Sequence, residues 1–118
     1  MLLFVITSAK AQIDYSSAES RAQAITSDMA TVVNFTPEQR ETAYKVNFRM
    51  EKRIIEIEQR YGKNKKAFKK SVKNAEKIRI KDISEVLSKD QRKALKKNRK
   101  RFRKSTWKLY KLRRPNEK

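Results

Sequence analysis

Two short segments of this chain repeat one another 52 residues apart: Phe35-Thr36-Pro37-Glu38-Gln39-Arg40 and Leu87-Ser88-Lys89-Asp90-Gln91-Arg92. Each runs apolar residue, hydroxyl residue, two variable positions with an acid second, then Gln-Arg. This is the pattern of a helix start. The Thr36 or Ser88 hydroxyl accepts from a free backbone N–H of the first turn, and Gln39 or Gln91 reaches back to the cap. Glu38 and Asp90 fall where the helix dipole favours negative charge. Pro37 takes the first helical position, where no N–H is needed. Two starts matched through the apolar residue, Gln and Arg constitute an internal repeat of helical units.

The rest of the chain is consistent with helix nearly throughout. Its 118 residues contain one Gly and two Pro, so few positions interrupt a helix. The spacing predicts four helices: Ala18–Val33, residues 36–61, residues 64–86 and residues 88–112. Gly62, the only glycine, is the expected left-handed stop of the second. Charged residues make up 38% and hydrophobic ones 37%, so the core is thin and long helices pair along narrow seams.

The helix faces sort as follows. In the first, Ala22, Ile25, Met29, Val32 and Val33 form a stripe. The second carries a heptad-like seam of Ala43, Val46, Met50, Ile54, Ile57 and Tyr61, and a second row of Tyr44, Phe48 and Ile55. That second row needs cover from a second subunit or from the first and third helices of the same chain. Glu51 and Glu58, one heptad apart, read as solubilising charges on an exposed flank. In the third helix Phe68, Val72, Ala75, Ile83 and Val86 share a face, with Arg79 in the apolar arc and its stem expected to snorkel. Lys66, Lys70, Lys73, Lys77 and Lys81 run down the opposite side. In the fourth, Leu95, Phe102 and Leu109 recur every seven residues. The opposite arc is basic and includes Arg99 and Arg103 together with Trp107 and Tyr110.

The doubled start resembles the Spy/CpxP group of periplasmic helical proteins, whose signature is a repeated LTxxQ motif. Here the motif stands as Phe35-Thr36-x-x-Gln39 and Leu87-Ser88-x-x-Gln91, with Phe for Leu in one copy and Ser for Thr in the other. The resemblance covers roughly residues 18 to 110. It implies an all-α fold of extended hairpins, assembled as a cradle-like antiparallel homodimer. It also implies an ATP-independent chaperone of unfolded proteins, or an adaptor in an envelope-stress pathway. Phe35, Thr36, Gln39, Arg40, Leu87, Ser88, Gln91 and Arg92 are then structural. They set where the second and fourth helices begin and how the two halves meet.

Residues 1–11 read as the end of a secretory signal peptide: residues 2–6 are apolar, and Ala9-Lys10-Ala11 is a small-x-small cleavage pattern. The expected mature chain is periplasmic, with residues 12–17 a loose lead-in, 18–112 the helical domain and 113–118 a basic tail. No other stretch approaches the ~20 apolar residues of a membrane span.

Charge divides the chain. Residues 1–61 are neutral in sum, and residues 62–118 carry the entire net charge of +19. Such a surface selects acidic partners. Lys66, Lys70, Lys73, Lys77, Lys81, Arg99, Arg103, Trp107 and Tyr110 are therefore the expected client-binding set, with cations attracting acidic segments and the aromatic pair holding apolar side chains. The competing reading is a protein that binds nucleic acid or another polyanion, Trp107 and Tyr110 stacking on bases. No His and no Cys occur, so imidazole and thiolate chemistry and metal sites built on them are excluded. The metal-binding functions of Spy/CpxP relatives do not carry over, no Gly-rich phosphate loop exists, and neither enzymatic activity nor a cofactor is expected.

Overall fold

The computed structural model describes residues 17–113, excepting the side chains of Trp107 and residues 109–113. Among the described residues there are five helices: α1 (Ala18–Val33), α2 (Pro37–Tyr61), α3 (Lys65–Ser84), α4 (Lys89–Lys97) and α5 (Arg99–Arg113). The export-like segment, residues 12–16 of the lead-in and residues 114–118 of the tail lie outside them. Ser17 does not belong to a loose lead-in. Its hydroxyl caps α1 by accepting from the Ser20 N–H at 3.1 Å.

The expected fourth helix is divided at Asn98. That residue leaves helical geometry (φ −100°, ψ 17°), and its side-chain amide donates to the Ala94 carbonyl at 2.7 Å. A short amide side chain competing for a backbone acceptor loosens the turn. Phe102 N–H still bonds to the Asn98 carbonyl, so α5 starts immediately. Gly62 also departs from expectation. It is right-handed (φ −55°), and α2 ends in a turn in which Asn64 N–H bonds to the Tyr61 carbonyl at 2.8 Å. Asn64 then caps α3 through its side-chain oxygen. The left-handed residue is Asn34 (φ 59°), which closes α1. Asparagine is among the few residues that tolerate this region.

Helix α2 lies against both α1 and α3, and α4 and α5 close over α1, with α4 also against α3. The described chain measures 46 × 42 × 19 Å, so it is a plate about two helix diameters thick. Ile25 and Met29 of α1, Ala43, Val46, Met50 and Ile54 of α2, Phe68, Val72, Ala75, Ile80 and Ile83 of α3, with Leu95 and Phe102, form one apolar core. The second row of α2, Tyr44, Phe48 and Ile55, remains half-buried. Val86, expected on the apolar face of the third helix, lies past the end of α3 and is exposed.

The core is not wholly apolar. Arg79 is 1% exposed and does not snorkel: its Nη1 donates to Glu51 Oε2 at 2.6 Å. Glu51 and Glu58, expected on an exposed flank, are both buried. Glu58 lies 3.9 Å from the buried Arg21 of α1. The heptad spacing that placed the two glutamates on one side of α2 placed that side against its neighbours. The network continues into α5, where Arg79 Nη2 donates to Thr106 Oγ1 at 3.2 Å and Arg103 Nε to Glu76 Oε1 at 3.0 Å. At the outer edge Arg101 grips Asp28 of α1 at 2.7 Å, and Ser105 donates to the same carboxylate at 3.0 Å. Polar contacts thus hold α5 to α1 and α3 around one buried ring, Phe102.

Removing one member of a buried ion pair leaves the other charge uncompensated, at a cost of about 3–5 kcal/mol. Arg79→Met is expected to destabilise the protein by that order in urea unfolding. Arg79→Met combined with Glu51→Leu is expected to recover part of the loss, because the uncompensated Glu51 carboxylate is removed.

Burial holds the Glu76 carboxyl above its ordinary value of 4.5, with Glu51 adding to the rise and Arg79 and Arg103 partly offsetting it. A carboxyl whose value is raised by folding favours the folded state when protonated. Its contribution is complete below 4.5 and is lost as pH rises through the raised value. Acidification from neutral pH towards 4.5 is therefore expected to raise the melting temperature through this group, and Glu76→Gln, which keeps an acceptor for Arg103, to flatten that slope. The check is a series of thermal melts across the interval for both proteins.

Candidate functional site

The two repeated segments meet. Thr36 caps α2 and Ser88 caps α4, each hydroxyl accepting from the N–H of the glutamine three residues on, at 3.1 and 3.2 Å. Each glutamine Oε1 in turn accepts from its own cap N–H, both at 2.9 Å. These two boxes are locally complete.

The glutamines also bond to one another. Gln39 Nε2 donates to Gln91 Oε1 at 3.0 Å, and Gln91 Nε2 to Gln39 Oε1 at 2.8 Å. The remaining N–H of each amide crosses to the other half: Gln39 to the Val86 carbonyl at 2.9 Å, Gln91 to the Asn34 carbonyl at 3.2 Å. Every donor and both acceptor positions of each amide are occupied. Val86 and Asn34 each precede the apolar residue of a motif, so the pattern has approximate two-fold symmetry. Extending the sequence repeat by one position towards the N-terminus would have singled them out, although their side chains differ and only their carbonyls take part. Leu87 is buried, and Phe35 packs against the same core. The arginines break the symmetry. Arg40 donates to Ser27 of α1 at 3.0 Å, whereas Arg92 donates to the carbonyl of Leu87 in its own motif at 2.9 Å.

The basic set lies elsewhere and does not converge. Lys66, Lys70, Lys73, Lys77 and Lys81 are exposed along α3, and Arg99 is exposed at the start of α5. Arg103 is half-buried and engaged by Glu76, so its guanidinium is not wholly presented to solvent. The side chains of Trp107 and Tyr110 fall outside the described residues.

A surface that the sequence pattern did not single out lies between α2 and α3. Ile78 and the largely buried Met50 line an open groove of about 480 Å³, rimmed by Arg49, Lys52, Arg53 and Glu56. Ile78 is 39% exposed. Arg49 is held across the groove by Asp82 of α3 at 2.7 Å. On the neighbouring flank of α2, Tyr44 stacks on Phe48 with ring centres 6.2 Å apart, and Lys52 lies 5.5 Å over the Phe48 ring. Helical spacing alone marks Tyr44, Phe48 and Ile55 as a row; the groove requires the α2–α3 packing angle.

Among the described residues no group of three or more acidic side chains is placed to hold a metal ion, and no helix is long and apolar enough to cross a membrane. No protein-family model, curated protein or solved structure matches the chain.

Each net hydrogen bond contributes about 0.5–1.5 kcal/mol, and the junction is only partly buried, so Gln39→Ala and Gln91→Ala are each expected to cost about 1–3 kcal/mol. The double variant is expected to cost less than the sum by about 1 kcal/mol, because each single change already breaks the shared pair. Urea unfolding of the four proteins measures that coupling. Strict additivity would show the two amides to be independent caps.

Proposed function

We propose that this chain is an ATP-independent, periplasmic chaperone or envelope-stress adaptor of the Spy/CpxP type, holding unfolded or partly folded proteins on a basic, partly apolar helical surface. The observation that carries the reading is the α2–α3 groove: open, with Ile78 exposed in it, and rimmed by Arg49, Lys52, Arg53 and Glu56. Such a surface suits partners without a fixed shape, since it offers apolar contact without enclosure and charge without a defined ligand geometry. The lysines of α3 supply attraction at longer range. Weak, charge-led capture of unfolded chains follows, with release once the client buries its own apolar groups.

In this reading the motif residues Phe35, Thr36, Gln39, Arg40, Leu87, Ser88, Gln91 and Arg92 serve architecture. The half-exposed row of Tyr44, Phe48 and Ile55 is the proposed contact with a second copy in an antiparallel homodimer whose paired helices form the cradle. Residues 1–11 direct export and are removed before Gln12.

The test is light scattering of two unrelated aggregating proteins with and without residues 12–118, at low and moderate salt. Suppression of both near one-to-one is expected, weakening as salt screens the cations. Ile78→Asp is expected to reduce suppression at least several-fold while leaving the melting temperature within a few degrees. Absence of suppression at both salts would overturn the general chaperone reading and leave an adaptor that binds one partner.

A further inference from the structure

The five exposed lysines of α3 form a more specific feature than general basicity. At about 100° per residue, Lys66, Lys70, Lys73, Lys77 and Lys81 fall within roughly 80° of arc. They step by four, three, four and four residues, one cation per helical turn. The row is therefore about 22 Å long at 1.5 Å per residue. Lys65 and Lys69 flank its first half, and both are exposed.

The two carboxylates of α3 are turned away from this row. Glu76 is buried against Arg79 and Arg103, and Asp82 is engaged by Arg49. Among the described residues no ion pair involves a lysine of the row, so its cations face solvent unpaired. A solubilising face would be served as well by mixed charges, which avoid the self-repulsion of five like charges on successive turns.

We propose that this row is a docking track for a flexible, linear phosphate polymer, recognised by charge alone. Three features select that partner. The row is straight and continuous, which fits an extended chain rather than a compact anion. Its cations are lysines, point charges that follow a phosphate chain without requiring the planar, two-point geometry of arginine. No aromatic side chain stands among them, so the track offers no platform for stacked bases and favours a polymer without bases. Five neutralised phosphates correspond to a log–log salt slope on the order of −3 to −4. The inference uses the α3 lysines that the chaperone reading employs for long-range attraction, but it does not require that reading to hold.

The experiment is fluorescence anisotropy of end-labelled inorganic polyphosphate with the full chain over a salt series. Two variants of equal net charge are compared: Lys66, Lys70, Lys73 and Lys77 all changed to Gln, and Lys93, Lys96, Lys100 and Lys104 all changed to Gln. The α3 variant is expected to lose at least tenfold in affinity and about 3 from the steepness of the slope. The second set is expected to lose no more than about threefold, as for a general screening effect. Should the α3 variant lose helicity by circular dichroism, Lys73→Glu alone serves, with a several-fold loss expected. Equal losses from the two sets would overturn the proposal, as binding would then follow net charge and no track. Tighter binding of oligodeoxythymidylate of the same total charge would also overturn it, in favour of nucleic acid.

Discussion

The architecture depends on one reciprocal bond pair, the two side-chain amides of Gln39 and Gln91. Each amide finishes its own helix cap and at the same time closes on the other, and each sends its last N–H to a carbonyl just ahead of the opposite motif. Two helix starts distant in sequence are thereby held in fixed relation. The cost of ordering two long side chains is offset because no amide capacity is left unused. Flanking this polar knot, Leu87 enters the core and Phe35 packs against it, so the same two segments supply both the hydrogen-bonded junction and its apolar backing.

Away from the junction the chain manages a shortage of apolar residues. A plate about two helices thick cannot bury many side chains, and part of its interior is filled by Arg21, Glu51, Glu58, Glu76 and Arg79. Buried ion pairs contribute little net stability but penalise any arrangement that separates them. They fix the register of α3 on α2, and through Thr106 and Arg103 the position of α5. Among the described residues most of the other lysines and arginines are exposed, with Arg103 half-buried. The surface accordingly carries a groove rimmed by Arg49, Lys52, Arg53 and Glu56 on one side of α3 and a row of lysines on another.

The resemblance to Spy/CpxP proteins and the geometry bear on different parts of the proposal. The doubled motif concerns how the halves are joined. The groove and the lysine row concern what the surface can hold; residue spacing singled out the lysine row, whereas the groove was not apparent from it. Trp107 and Tyr110, which the basic arc of the last helix brought forward as binding residues, are not needed for either surface. Arg103, from the same arc, is partly withdrawn into the ion-pair network.

The first three helices, both capping boxes and the seam of α2 from Ala43 to Ile54 were determined by local pattern, whereas Tyr61, expected to continue that seam, is exposed and the last helix is divided at Asn98. A cap or a 3.6-residue stripe depends on neighbours within a few positions, and those are explicit in the order of residues. The lysine row of α3 was legible for the same reason. Only tertiary structure decided that Glu51 and Glu58 lie inside, that Arg79 pairs rather than snorkels, and that Met50 and Ile78 share a groove with Arg49 and Arg53. A charged residue on a helix flank reads as solvated until a partner of opposite charge arrives from a distant segment, and only packing brings that partner. The two glutamines stand at the boundary. Their caps were written in four consecutive residues, whereas their bond to each other required the chain to fold back across 52 positions.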